Sequence, residues 1–195
     1  YENSLYNLNY AQPDAFSFTE KIIEKNKGIY KAIHKIEIYD TAATRSNILA
    51  GFKSIISEAK PEDVFVFYYA GHGTLNADNG EGFYLVPSEV TRMVDDAAQL
   101  DAKCISDAEL KNNLTQLKSQ KIVVIMDACH SGAAVSTIAV RAAGSEEKSI
   151  RMLSRSSGVH IFASTGTKQY AAEFEQLQHG TFTYALLEAL DGKAD

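Results

Sequence analysis

Two stretches of the chain carry the same pattern. Asp63-Val64-Phe65-Val66-Phe67-Tyr68-Tyr69-Ala70 and Lys121-Ile122-Val123-Val124-Ile125-Met126 are short, mostly apolar and rich in β-branched or aromatic residues. Each stops in small residues: Gly71-His72-Gly73 follows the first run, and Asp127-Ala128-Cys129-His130-Ser131-Gly132 follows the second. Unbroken apolar runs of this length predict strands buried on both faces, which is the habit of parallel strands. Val159-His160-Ile161-Phe162-Ala163-Ser164-Thr165 predicts a third strand, with His160 entering from the end opposite the two motifs. Ala32 to Tyr39 alternates, with Ile33, Ile36 and Ile38 against polar neighbours, and predicts a strand nearer a sheet edge. Phe83 to Pro87 predicts a short strand in a small hairpin.

Between these runs the period becomes helical. Pro13-Asp14 opens a helix expected to reach about Lys27, with Ala15, Phe16, Ile22 and Ile23 as its buried stripe and Gly28 as its stop. Thr44 is the expected N-cap of a helix over about Arg45–Ala59, where Ile48, Leu49, Phe52, Ile55 and Ile56 keep helical spacing and Pro61 ends the run. Ser106 caps a helix reaching Leu117, with Glu109 placed to complete a capping box. Phe182, Leu186, Leu187 and Leu190 predict the buried face of a final helix. Strands alternating with helices define an α/β protein with a mainly parallel sheet.

The 195 residues suit one domain over residues 1–195, and 45% hydrophobic content is ample for its core. A net charge of −6 without a dense basic block argues against nucleic acid or an anionic membrane as the main partner. No apolar run approaches the ~20 residues needed to span a bilayer. Cys104 and Cys129 make no disulfide framework, and a working thiol has to stay reduced, so a cytoplasmic setting is expected. The chain begins at Tyr1 without Met, which weakens any inference about targeting.

Parallel strands bring their ends to one edge of a sheet, where open α/β sheets place their sites. His72 and Cys129 then meet although far apart in sequence. An imidazole beside a thiol favours the thiolate, the attacking species, and afterwards protonates the leaving group. Gly71, Gly73 and Gly132 allow tight turns beside a substrate, and the amides of Gly73 and Cys129 are candidates to face a developing oxyanion. Asp127 lies two positions before Cys129, so strand alternation puts both side chains on one side. An acid there is costly to bury unless it meets a cation, and a substrate Arg or Lys would supply one. The alternative is an internal partner, either a buried Arg or backbone amides.

Tyr68-Tyr69-Ala70-Gly71-His72-Gly73 and Asp127-Ala128-Cys129-His130-Ser131-Gly132 resemble the His and Cys motifs of the caspase-like cysteine peptidases, in particular the metacaspases and the bacterial orthocaspases. The His-first order and the separation agree with the caspase pattern, in which the His lies ~50 residues upstream. The resemblance runs from Asn7-Leu8-Asn9-Tyr10-Ala11 to Phe182-Thr183-Tyr184-Ala185-Leu186-Leu187. It implies a caspase-like α/β/α sandwich, a mainly parallel central sheet flanked by helices. It also implies a central first strand ahead of Tyr1, to be supplied by another segment or chain. The activity implied is that of an endopeptidase acting on protein or peptide substrates, with His72 and Cys129 as its dyad. Caspases bind Asp with basic pocket residues, so the acid at Asp127 implies the reverse, cleavage after Arg or Lys. An Asp opening the first helix lines the same S1 pocket in the family, commonly after Asn. Here Pro13 precedes Asp14, so the match is to the acid alone, and simple capping of the helix is the competing role.

The loose, charged stretch 141–158, with Arg141, Lys148, Arg151 and Arg155, corresponds to the linker that is often cut during activation; a plain surface connection is the competing role. Gln169–Glu173 and His179-Gly180-Thr181-Phe182-Thr183 resemble the substrate-side loop and the start of the last helix, with His179 a loop residue rather than a second base. No third residue orienting His72 is evident. No cofactor is expected to be required. Calcium activates some metacaspases, but Asp95, Asp96, Glu146 and Glu147 lack EF-hand spacing, and no calcium site is assigned. A metal site from His72, Cys129, His130 and a carboxylate lacks the paired ligand spacing of zinc sites. A catalytically silent caspase-like scaffold is the remaining alternative. Cys104 reads as an ordinary buried residue.

Overall fold

The computed structural model describes residues 1–75, 82–92, 97–128, 158–164 and 173–193. The apolar runs form a parallel sheet: β1 (Val64–Ala70), β5 (Lys121–Asp127) and β6 (Val159–Ala163), in the order β1-β5-β6. Register aligns Ala70 with Asp127 and Met126 with Ala163, so all three strands end at one edge. Past that edge the Gly71 amide donates to the Asp127 carbonyl at 3.1 Å, and the Ser164 amide to the Met126 carbonyl at 2.9 Å. At the opposite edge Gly158 enters β6 with φ +69°, and a Cβ there would run into the Gln120 carbonyl oxygen, so the turn needs glycine.

Alternation divides the sheet into two faces. Ile122, Val124 and Met126 of β5, with Phe65, Phe67 and Tyr69 of β1, join one core with Ile48 and Phe52 of α2 (Arg45–Glu58) and Leu110 and Leu114 of α4 (Asp107–Gln116). Across the sheet, Tyr68 stacks on Phe18 of α1 (Ala11–Asn26) at 4.6 Å, and α5 (Thr181–Leu190) packs beside α1. Helices thus cover both faces, as expected of an α/β/α sandwich. A small antiparallel sheet of β2 (Gly73–Leu75), β3 (Phe83–Leu85) and β4 (Ile105–Ser106) leaves from the end of β1, in the order β2-β3-β4. It packs with Val90 and with Leu100 of α3 (Ala97–Lys103), an element the pattern did not predict. Cys104 is fully buried in this cluster, and burial pushes its thiol up to about 12, so it is inert near neutral pH.

Five expectations change. Residues 32–39 form no strand, and Ile33 and Ile36 are left 41% and 46% exposed. Alternation chooses a face, but a strand also needs a neighbour for its backbone groups. Among the described residues β1 pairs on one side alone, with β5, and no strand lies between it and 32–39. β1 is consequently half-buried rather than buried on both faces. The stripe of α1 is rotated: Asp14 and Phe18 are buried at i, i+4 spacing, and Phe16 is 52% exposed. Asp14 also does not cap α1, because Tyr10 stands at the N-cap and the Asp14 amide already donates to its carbonyl. Thr44 and Ser106 do cap α2 and α4, accepting from Asn47 and Glu109 amides. The Glu109 carboxylate, however, takes Arg45 Nη2 at 2.7 Å, tying α4 to α2. No described helix is long and apolar enough to cross a membrane.

Candidate active site

His72 stands where β1 has just left the sheet. Its backbone is held by the small sheet and the start of the chain: its carbonyl accepts from Tyr69 Oη at 2.8 Å and the Val86 amide at 3.0 Å, and its amide donates to Tyr1 Oη at 3.1 Å. The ring lies between two tyrosines, with centroids 5.0 Å from Tyr1 and 6.1 Å from Tyr6. Its Nε2 is 2.7 Å from the Tyr6 carbonyl oxygen. A carbonyl can only accept, so Nε2 carries the proton, and in the neutral ring the basic lone pair is on Nδ1. An orienting group for the imidazole thus exists, and it is a main-chain oxygen. No residue type announces such a group, which is why the sequence pattern missed it. The segment bearing it is strapped down by the Glu2 amide to the Ser88 carbonyl, at 2.7 Å, and by Asn3 Nδ2 to the Thr91 carbonyl, at 3.1 Å.

At the end of β5, Asp127 is in register with Ala70, and the Ala128 amide donates to Ser164 Oγ at 3.1 Å. Cys129 itself lies outside the described residues, as do His130, Gly132, Asp95, Asp96, Glu146, Glu147 and the charged stretch 141–157. Gly73 is described: it is buried and opens β2 opposite Leu85.

Asp14 and Asp127 come from elements far apart in sequence, yet they converge. Both are buried, 3% and 8% exposed. A Cβ on Gly180 would sit 2.9 Å from Asp127 Oδ2 and 3.0 Å from Asp14 Oδ2, so glycine leaves the room in which the two carboxylates approach. Each has its own donors. Asp14 accepts from the Gly180 amide at 3.0 Å and pairs with His179 Nδ1 at 2.6 Å. Asp127 accepts from Thr183 Oγ1 at 2.7 Å. With that proton committed, the 2.6 Å contact of Thr183 with Tyr68 makes Tyr68 the donor, a short relay from β1 through α5 to β5. Burial raises the Tyr68 hydroxyl well above the ordinary phenol range, so it stays protonated. Burial, and secondarily Asp127, pushes the Asp14 carboxyl up to about 6, against the pull of Gly180 and His179. The acid pair therefore forms one unit with the short strand His179–Gly180 and the first turn of α5. His179, Gly180 and Thr183 were visible as part of a motif, but their partnership with Asp14 and Asp127 was not.

The family model for the caspase domain matches residues 2–195. The chain belongs to the caspase-domain peptidase family. Within it the chain is similar to Metacaspase-1 of Plasmodium falciparum, 24% identical over 149 residues, or 69% of this chain and 23% of that protein. Metacaspase-1 of Schizosaccharomyces pombe is 27% identical over 146 residues, covering 69% of this chain and 32% of that protein. Metacaspase-1A of Aspergillus niger is 32% identical over 98 residues, 47% of this chain and 22% of that protein. The caspase domain seen here thus spans no more than about a third of the relatives it matches. Among its described residues, no group of three or more His, Cys, Asp or Glu side chains is placed to hold a metal ion.

Proposed function

We propose that this chain is the catalytic domain of a cysteine endopeptidase that cleaves protein or peptide substrates after Arg or Lys. Cys129 is its nucleophile and His72 its base. His72 Nδ1 takes the thiol proton, and the thiolate adds to the scissile carbonyl carbon. The amides of Gly73 and Cys129 face the resulting oxyanion. The C–N bond then breaks, the imidazolium returns its proton to the leaving amine, and water hydrolyses the thioester. The Tyr6 carbonyl supports this assignment by leaving the basic nitrogen at Nδ1.

The observation that carries the specificity is the meeting of Asp14 and Asp127 at Gly180. Two adjacent buried carboxylates repel each other, and a guanidinium or ammonium relieves that repulsion. Cleavage of the 141–158 stretch after one of its basic residues is part of the same proposal, since such a pocket accepts the chain's own Arg or Lys. So is a further strand, from another segment or chain, along the edge of β1 that no strand among the described residues pairs with.

Matched fluorogenic peptides ending in Arg, Lys and Asp test the reading, with Cys129→Ala as control and calcium present or absent. Turnover of Arg or Lys peptides, lost in the variant, is the expected result. Turnover of Asp peptides would leave the dyad and overturn the pocket, while turnover that survives Cys129→Ala would overturn the dyad.

A further inference from the structure

The acid pair has a third polar member that the reaction above does not use. His179 and Gly180 are consecutive, and together they take both oxygens of one carboxylate: His179 Nδ1 meets Asp14 Oδ1 at 2.6 Å, and the Gly180 amide donates to Oδ2 at 3.0 Å. An ionised carboxylate only accepts, so Nδ1–H is the donor. The two contacts clamp the Asp14 side chain in one orientation. The Asp14 side chain is 4% exposed and the imidazole 21%, so His179 is the more solvent-exposed member of the pair. We propose that His179 is a positioning residue of the acid pocket, clamping the Asp14 carboxylate so that it is aimed to receive the cation of the substrate residue before the scissile bond. This role rests on the reading of Asp14 and Asp127 as the pocket acids.

The surroundings show what the clamp opposes. Asp127 faces Asp14 from β5, Tyr68 lies close from β1, Thr183 from α5, and among the described residues His179 is the side chain hydrogen-bonded to Asp14. Burial and the neighbouring carboxylate both favour a proton on Asp14, whereas His179 favours its loss. Without the imidazole, Asp14 binds a proton more readily and the pocket surrenders one of its two charges at higher pH. Asn is the informative replacement, because its amide nitrogen can stand where Nδ1 stands and donate without titrating.

The test is equilibrium binding, by fluorescence anisotropy, of a peptide ending in arginine and a matched one ending in neutral citrulline. The host is the full-length protein carrying Cys129→Ala, so that nothing is cleaved. The series compares His179, His179→Ala, His179→Asn and Asp14→Asn. His179→Ala should weaken the arginine peptide by about tenfold, the scale of one charge-assisted hydrogen bond, and leave the citrulline peptide within about twofold. It should also move the acid-side loss of arginine binding to higher pH, His179→Asn should restore most of the affinity, and Asp14→Asn should remove that acid-side loss. A His179→Ala protein that binds arginine as tightly, with the acid limb unmoved, overturns the role of His179 alone. A parent protein that binds citrulline as well as arginine overturns the acid pocket itself, and this role with it.

Discussion

Strands β1 and β5 have sequences of the same kind, yet they are packed differently. In β5 nearly every residue after Lys121 is buried, and Val124 and Met126 have no exposure at all. In β1 no residue reaches that state, and Val66 is 37% exposed. The cause is position. β5 has a parallel neighbour on either side, whereas β1 has one among the described residues. An apolar run specifies a strand that tolerates burial; how much burial it receives depends on what stands beside it. The site is insensitive to this difference, because pairing with β5 already fixes where β1 ends and therefore where His72 emerges.

In the chemistry the two strands should count equally, and this is the largest expected effect. His72→Ala at the end of β1 and Cys129→Ala beyond β5 should each lower kcat by about a thousandfold or more, and the double variant little further, as for residues acting as a unit. Steady-state kinetics of the three variants would show this, and additive losses would break the symmetry. In stability the strands should count unequally. Met126→Ala removes a fully buried side chain and should cost about 2–5 kcal/mol in urea unfolding.

A smaller effect follows pH. The Asp14 carboxyl is raised from 3.8 to about 6 in the folded protein, so between these values the native state holds more proton than the unfolded chain. The contribution of Asp14 to stability is therefore greatest below about pH 4 and is lost as pH rises through about 6. Asp14→Asn should flatten the rise of Tm on acidification across that window, as read by thermal melts at stepped pH. An unchanged slope would remove Asp14 as its source. The smallest effect belongs to the edge of β1 that has no neighbour among the described residues. Val66→Ala should cost less than about 1 kcal/mol in urea unfolding of this chain. A cost matching that of Met126→Ala in the full-length protein would mean that a further strand covers β1 there, which sharpens the contrast into a test of that strand.

Much of the architecture was legible from local pattern. The three parallel strands, the capped starts of α2 and α4, and the last helix follow from period and end signals, since these depend on neighbours a few residues away. Reading failed where the answer lay in another part of the chain. Residues 32–39 alternate correctly but have no ladder to join among the described residues. The expected stripe of α1 ran through Phe16, whereas the stacking on Tyr68 turns Phe18 inward instead. In α5, Thr183 is buried completely while Phe182 and Leu186 are half-buried, because a hydroxyl was required at Asp127.

The sequence by itself determined the class of the protein, the two motif ends, and Asp127 as an acid in want of a partner. Their motifs are contiguous residues whose chemistry can be read in order. Only the tertiary structure decided that the Tyr6 carbonyl orients His72 and that the two acids meet over Gly180. It also decided that His179 and Thr183 each hold one of them. Those relations join main-chain atoms and side chains from opposite ends of the chain, and only folding sets the distances on which hydrogen bonds and buried charges depend.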